Sequence, residues 1–317
     1  MGYIDEVKGY VGAKVKGISY NIDLVDNCVL RCKSCAVGSL GGRKPHLMSI
    51  EKFRWTLDKA QRETKVRHVQ LYIYSDPCQH PLLHLFVAEC TRRGIETWIS
   101  TMLQTTNCNF EKVIEARPTE FRISFPGFER MTFYQGGAKP ERFKKKFAEV
   151  VKLPRHKETT WTMVFHKYKH NQHEIPMAQN MAEDNGIKFV ALPSIFMPME
   201  VMVEERYSEQ DREIIFHLID TPEEATARMK ESTYCPCFKQ IALDARGNVY
   251  LCQLIYEKRF ILGDYLSMPY DEIYKRIRGH EFCGKCIAKK GNQYQSCYAE
   301  IAKSKDPVGE ANRKRMQ

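Results

Sequence analysis

Three cysteines within eight residues, Cys28, Cys32 and Cys35, constrain this chain more than any other feature. They lie in Asp26-Asn27-Cys28-Val29-Leu30-Arg31-Cys32-Lys33-Ser34-Cys35, directly after Ile18 to Val25, which alternates like a strand. Three thiolates on one short loop can hold three irons of a 4Fe–4S cube, leaving the fourth iron free to bind a small molecule. Zinc also uses closely spaced cysteines, but a structural zinc site takes four ligands. No fourth Cys or His lies close after Cys35.

The residues that follow alternate between strand and helix patterns. His68–Tyr74, Thr97–Leu103, Phe121–Phe125, Thr160–Phe165 and Lys188–Leu192 read as strands. Between them, helices are expected from a Ser49 N-cap to Ala60, over Leu82–Arg93, Phe110–Ala116 and Pro140–Val151, and over Glu174–Asp184. With Ile18–Val25 this makes six strands and a parallel sheet, either open or curled into a barrel. Ligands of such sheets sit at the C-terminal strand ends, which is where the cysteine loop falls. The tryptophans Trp55, Trp98 and Trp161 are expected in the core.

From about Met202 the pattern changes. Residues 204–231 read as a charged helical bridge. Beyond it, Gln240–Asp244 and Val249–Leu254 flank a hairpin turn at Ala245-Arg246-Gly247-Asn248. The division expected is an extension over 1–17, an α/β unit over 18–200, a helical bridge over 201–231 and a small cysteine-rich domain over 232–317. No apolar run reaches the ~18 residues that span a bilayer. The first residues carry Asp5 and Glu6 without an apolar signal core, so no membrane is expected and the localisation expected is cytoplasmic. In a reducing compartment the twelve cysteines point to metal or redox chemistry rather than disulfides.

The cysteine loop, its place after the first strand and the six strand–helix units resemble the radical S-adenosylmethionine (SAM) superfamily over about residues 18–195. The resemblance implies a partial (β/α)6 TIM-type barrel of the α/β class. It implies that Cys28, Cys32 and Cys35 hold a 4Fe–4S cluster whose open iron chelates SAM. One electron, from a donor such as flavodoxin or ferredoxin, would cleave SAM to methionine and a 5′-deoxyadenosyl radical that abstracts hydrogen from a substrate. Tyr74-Ser75-Asp76-Pro77 stands where the family often has Gly-Gly-Glu-Pro, so Ser75, Asp76 and Pro77 are expected at the SAM amino group. Ile123-Ser124-Phe125-Pro126-Gly127 resembles a strand-end motif and places Ser124 near the SAM ribose or carboxylate. Leu192 is expected against the adenine. Tyr134-Gln135-Gly136-Gly137 resembles a loop of the cysteine-rich branch of the family. The residue before the third cysteine is commonly aromatic there; here it is Ser34, so another residue must pack the adenine, or its pocket is more polar.

The remaining clustered cysteines resemble the SPASM and twitch extensions, which hold auxiliary 4Fe–4S clusters. Cys237-x9-Gly247-x4-Cys252 is followed by the pair Cys283 and Cys286. One auxiliary cluster is expected, on Cys237, Cys252, Cys283 and Cys286, with Cys235 or Cys297 able to replace one of them; two clusters stay open. A zinc ribbon is the alternative at these residues. The activity expected is oxidation, cross-linking or rearrangement of a peptide or small molecule. The net charge of +10 and the stretch 139–157, with eight Lys/Arg against Glu141 and Glu149, leave open a nucleic-acid substrate for the same chemistry. A non-enzymatic zinc- or nucleic-acid-binding protein would account for charge and cysteines but not for the six-unit α/β pattern.

Overall fold

In the computed structural model of the chain, residues 17–209, 212, 217, 219 and 235–291 are described. The extension before Gly17, most of the expected bridge, Cys297 and the end of the chain lie outside them. Nine strands form one sheet. Its parallel part is β1 (Ile18–Ile22), β3 (Val66–Gln70), β4 (Glu96–Thr101), β5 (Glu120–Phe125), β7 (Thr160–Lys167) and β8 (Lys188–Pro193), in that spatial order. These are the six strands of the alternation, and the fold is the α/β partial barrel expected from the resemblance.

The crossover helices are α2 (Ile50–Glu63), α3 (Leu83–Arg92), α4 (Phe110–Glu115), α6 (Pro140–Val150) and α7 (Ile175–Glu183). Ser49 caps α2, its hydroxyl accepting from the Lys52 N–H at 3.1 Å. Helical spacing places Phe53, Leu57 and Ala60 of α2, and Phe143, Phe147 and Val150 of α6, in the core with Ile99, Phe121, Phe125 and Phe165 of the strands. Each such buried side chain contributes roughly 1.5–3 kcal/mol relative to an exposed one. Trp161 is buried as expected. Trp55 is not: it is 60% exposed, because it lies off the stripe that Phe53, Thr56, Leu57 and Ala60 turn inward.

Two features depart from the linear pattern. The strand expected over His68–Tyr74 ends at Gln70. The N–H groups of Ile73, Tyr74 and Ser75 donate to the Asp23 carboxylate instead of to a neighbouring strand (2.8, 3.2 and 3.2 Å). The hairpin β9 (Gln240–Leu243) and β10 (Asn248–Tyr250), with β11 (Ile261–Asp264), does not form a sheet of its own. β9 pairs in parallel with β1, Ser19 opposite Gln240 and Ile22 opposite Leu243, so these strands extend the barrel sheet. β1 is thus flanked on both edges and buried along its whole length, polar Ser19 and Asn21 included. Asn21 donates to Gln240 (3.4 Å).

Candidate active site

The cysteine loop leaves the C-terminal end of β1 and is braced from three sides. Its short strand β2 (Arg31–Cys32) pairs antiparallel with β6 (Gln135–Gly136), Arg31 opposite Gly136 and Cys32 opposite Gln135. The Lys33 N–H donates to the Tyr134 carbonyl (3.0 Å). The segment Tyr134–Gly137 therefore grips the cysteine loop. A Cβ at Gly136 would stand 2.9 Å from the Arg31 carbonyl oxygen, and Gly137 has φ +86, so both positions require glycine. On a second side, Gln79 donates to the Asn27 carbonyl (3.1 Å), and the Arg31 guanidinium donates to the carbonyls of Cys28 and Leu30. On the third, Asp26 accepts from the Ala245 N–H (3.0 Å) and pairs with Arg246 (2.9 Å), tying the loop to the C-terminal hairpin turn.

Cys28 is buried, and Cys32 and Cys35 are half-buried. Burial pushes all three thiols up, Cys35 to about 12; repulsion from neighbouring cysteines adds to this at Cys32 and Cys35, and from Asp76 and Asp23 at Cys28. A donor set of this kind ionises when cationic metal replaces its protons. Leu30 N–H donates to the Cys28 sulfur (3.5 Å), the type of contact that tunes a bound cluster. The sulfurs do not converge on a point. Among the described residues only Glu129, His173 and Glu174 bring three ligand atoms within 4.8 Å of one another. A single zinc ion at about 2.3 Å from each sulfur would need that convergence; a cube takes its thiolates at separate corners.

Asp76 lies beside this loop, close enough to Cys28 to act on its thiol both as a charge and through its backbone N–H. Its buried carboxylate is engaged. It accepts from Thr101 Oγ1 (2.9 Å), Met102 N (3.0 Å) and Cys78 N (2.9 Å), capping a short 3-10 turn that begins at Pro77. Ser75 gives its hydroxyl to Asp23 (2.9 Å). His80 is held by the Met48 carbonyl (3.0 Å). Ser124 sits at the end of β5 with its hydroxyl 2.9 Å from that of Ser100. Leu192 is buried near the end of β8, opposite His166 of β7, with that strand between it and Ser124. Around Ser34 the aromatic side chains come from elsewhere: Tyr168 places its hydroxyl 3.4 Å from Ser34 Oγ and stacks on Tyr134 at 4.0 Å between ring centres. The Ser34 carbonyl accepts from Met197 N–H (2.8 Å).

Asp23 was not anticipated from the sequence. It is buried, and it gathers four donors from residues 73–75, so it shapes the loop that carries Ser75 and Asp76. The available signal was an acid closing the apolar run of β1. Burial raises its pKa to about 6, against about 3.9 in an unfolded chain. The folded chain therefore takes up a proton first as pH falls. The stability from this group is fully present below about pH 4 and is lost as pH rises through about 6. The substitution Asp23→Asn is expected to gain stability relative to the parent by roughly 2–3 kcal/mol between these limits. Urea unfolding of both chains at stepped pH measures this; a constant difference between them would contradict it.

Five of the C-terminal cysteines meet. Cys235, Cys237, Cys252, Cys283 and Cys286 line one cavity with about 440 Å³ of atom-free space, part of it open to solvent. The last two come from α10 (Glu281–Ala288), and the other lining groups include Met199, Phe238, Leu254, Ile277 and Phe282. Soft sulfur donors in an apolar wall suit an iron–sulfur cluster or zinc, not a hard oxygen-bound cation. A smaller space of about 180 Å³ beside Cys252 is bordered by Asp23, Arg43, Tyr74 and Tyr250. The Tyr74 side chain is within electrostatic reach of both Cys35 and Cys252. Arg43 lies over the rings of Tyr250 and Tyr256 (4.6 and 3.9 Å to the ring centres). Among the described residues, Arg43 Nε, Tyr74 Oη and Glu200 Oε2 are buried without hydrogen-bond partners.

No family model matches this sequence, and no curated protein matches it. Solved structures do match. Streptococcus suis SuiB bound to S-adenosylmethionine aligns over 87% of this chain and 71% of its own, with a TM-score of 0.58 and 13% identity. Native anSMEcpe with bound AdoMet aligns over 94% of this chain and 100% of its own, with a TM-score of 0.56 and 14% identity. BtrN in complex with AdoMet and 2-DOIA aligns over 88% and 90%, with a TM-score of 0.50 and 14% identity. SuiB is also known bound to the precursor peptide SuiA. The chain has the fold of the radical SAM enzymes. Among the described residues, no helix is long and apolar enough to cross a membrane.

Proposed function

We propose that this chain is a radical SAM enzyme with one auxiliary iron–sulfur cluster, acting on a peptide. The observation that carries the reading is that Cys28, Cys32 and Cys35 lie on a braced loop at the C-terminal edge of the parallel sheet, beside Asp76, in a chain that also lines a second cavity with cysteines. When bound, the first cluster and SAM supply a 5′-deoxyadenosyl radical that abstracts hydrogen from the substrate.

The protein's own residues hold and orient. Cys28, Cys32 and Cys35 bind the SAM-binding cluster. Asp76 positions rather than binds, because its carboxylate is used by Thr101, Met102 and Cys78 and its carbonyl by Gln79; the SAM amino group is left to the backbone carbonyls of Tyr74 and Ser75. Ser124, with Ser100, offers hydroxyls to the ribose or carboxylate. Leu192 and the stacked pair Tyr168 and Tyr134 supply adenine packing in place of the aromatic residue missing at Ser34. The second cavity holds the auxiliary cluster on four of Cys235, Cys237, Cys252, Cys283 and Cys286. The unpartnered groups of Arg43 and Tyr74, which border the space beside Cys252, and of Glu200 receive polar groups of the substrate.

The peptide substrate rests on the fold shared with SuiB. The basic stretch 139–157 lends less to a nucleic-acid substrate than its composition suggests. Lys144 and Lys146 are paired with Glu141 and Glu149, Arg142 is bonded to the Gln104 carbonyl, and Arg155 packs on Trp161 and bonds Gly186. The deciding experiment is anaerobic: the reconstituted, reduced chain mixed with SAM is expected to release 5′-deoxyadenosine even without substrate. Stoichiometric zinc with no iron, or intact SAM after reduction, would sink the reading. Steeply salt-dependent binding of DNA or RNA would move the substrate to nucleic acid.

A further inference from the structure

The mouth of the barrel carries a second constellation with no part in the chemistry above. The loop after β5 brings Glu129, and the 3-10 turn Gln172–Glu174 after β7 brings His173 and Glu174, so that one ligand atom from each lies within 4.8 Å of the others. His173 Nε2 is 2.6 Å from Glu129 Oε2. The Glu174 carboxylate is fixed from behind: its Oε2 accepts from the N–H groups of Phe128 (2.6 Å) and Glu129 (3.3 Å). Gly127, at φ +88, leaves the room this requires, since a Cβ there would run into the same carboxylate.

An exposed ion pair between Glu129 and His173 would be an ordinary surface contact worth little. What it does not account for is Glu174. That residue is 8% exposed, and its Oε1 is buried with no hydrogen-bond partner among the described residues. A buried carboxylate oxygen without a partner is costly, and a cation removes the cost. Two carboxylates and a neutral imidazole also carry the charge that one divalent ion balances. Mixed oxygen and nitrogen donors suit a first-row divalent ion of the manganese or zinc type rather than a soft, thiolate-seeking one.

We propose that Glu129, His173 and Glu174 bind a divalent first-row cation that clips the β5 loop to the β7 loop. The ion keeps open positions for water or for an oxygen of the substrate, one loop away from Ser124. The site does not depend on the radical SAM reading, because none of its ligands belongs to either cysteine group.

Manganese(II) is the probe, since the cysteines compete poorly for it. The full chain, purified and kept anaerobic, is titrated with Mn²⁺ while the electron paramagnetic resonance signal of the free ion is followed. One saturable site per chain is expected. H173A and E129Q are each expected to weaken it by at least about tenfold, given that even outer-shell changes cost about 10–100-fold. Both residues are exposed, so the far-UV circular dichroism and the iron content of the variants should match the parent. Glu174 is left intact because its loss would also unlatch the Phe128 and Glu129 amides. An undiminished free-ion signal with the parent chain, or parental affinity in either variant, would overturn the proposal.

Discussion

Replacing Cys28, Cys32 and Cys35 together by Ala is expected to lower the iron of the anaerobically reconstituted chain from about eight to about four per molecule. Release of 5′-deoxyadenosine should fall below detection. The two effects separate because the cysteine groups occupy different walls of the fold. The first loop hangs from β1 and is held by β6, whereas the second cavity is lined by residues of the 3-10 turn Pro236–Lys239, the hairpin region and α10 that do not include the loop. Removing three sulfurs from the loop leaves the apolar wall of Met199, Phe238, Leu254 and Ile277 intact. Iron analysis with electron paramagnetic resonance of the reduced protein reads both sites. Loss of all iron in the triple variant would mean that the second cavity does not hold a cluster by itself.

The second large effect requires no change to a ligand. Gly38 sits in α1 (Ala36–Ser39), and a Cβ there would overlap the carbonyl of Cys32 and crowd the carbonyl carbon of Arg31 at 3.0 Å. Those are backbone atoms, and they cannot swing away as a side chain would. Arg31 and Cys32 are pinned by pairing with Gly136 and Gln135, while Gly38 N–H is bonded to the Cys35 carbonyl (3.0 Å). One methyl group at this point must therefore move Cys32 relative to Cys35. Gly38→Ala is expected to bind about four irons rather than eight, with unchanged far-UV circular dichroism and no SAM cleavage. Gly279→Ala is the control: a Cβ there meets nothing within 4 Å, and this chain should keep both clusters. Full iron loading in Gly38→Ala would show that the loop can shift without losing its metal.

The parallel half of the fold was legible because its signals are local. Period-two strands, helical stripes such as Phe53, Leu57 and Ala60, and the Ser49 cap all appear within a few residues of the element they define. The candidate cysteines were legible for the same reason. What escaped was pairing over distance. Nothing near Gln240 reveals that it will lie beside Ser19, and nothing near Arg31 announces Gly136. The strand expected to reach Tyr74 stops at Gln70 because a carboxylate some fifty residues earlier, Asp23, takes the amides that a neighbouring strand would have used. Asp76 shows the same limit from the other side. Its position beside the loop followed from its place after the second strand, but the engagement of its oxygens by Thr101 and Met102 depends on where β4 ends.

The parallel pairing of β9 with β1 also sets an order of events during synthesis. β1 emerges first, yet one of its two neighbours lies some 220 residues later in the chain. At ribosomal speeds of ~5–20 residues per second, that edge waits on the order of 10–40 s for its partner. Meanwhile it is an open strand edge, and Asp26 at the root of the cysteine loop lacks both the Ala245 amide and Arg246. The cysteine loop after β1 thus acquires its last support from the end of the barrel sheet. A nascent chain has its three cysteines out long before the contacts that brace their loop are complete, so under the proposed function cluster insertion would come late, on a schedule set by the topology.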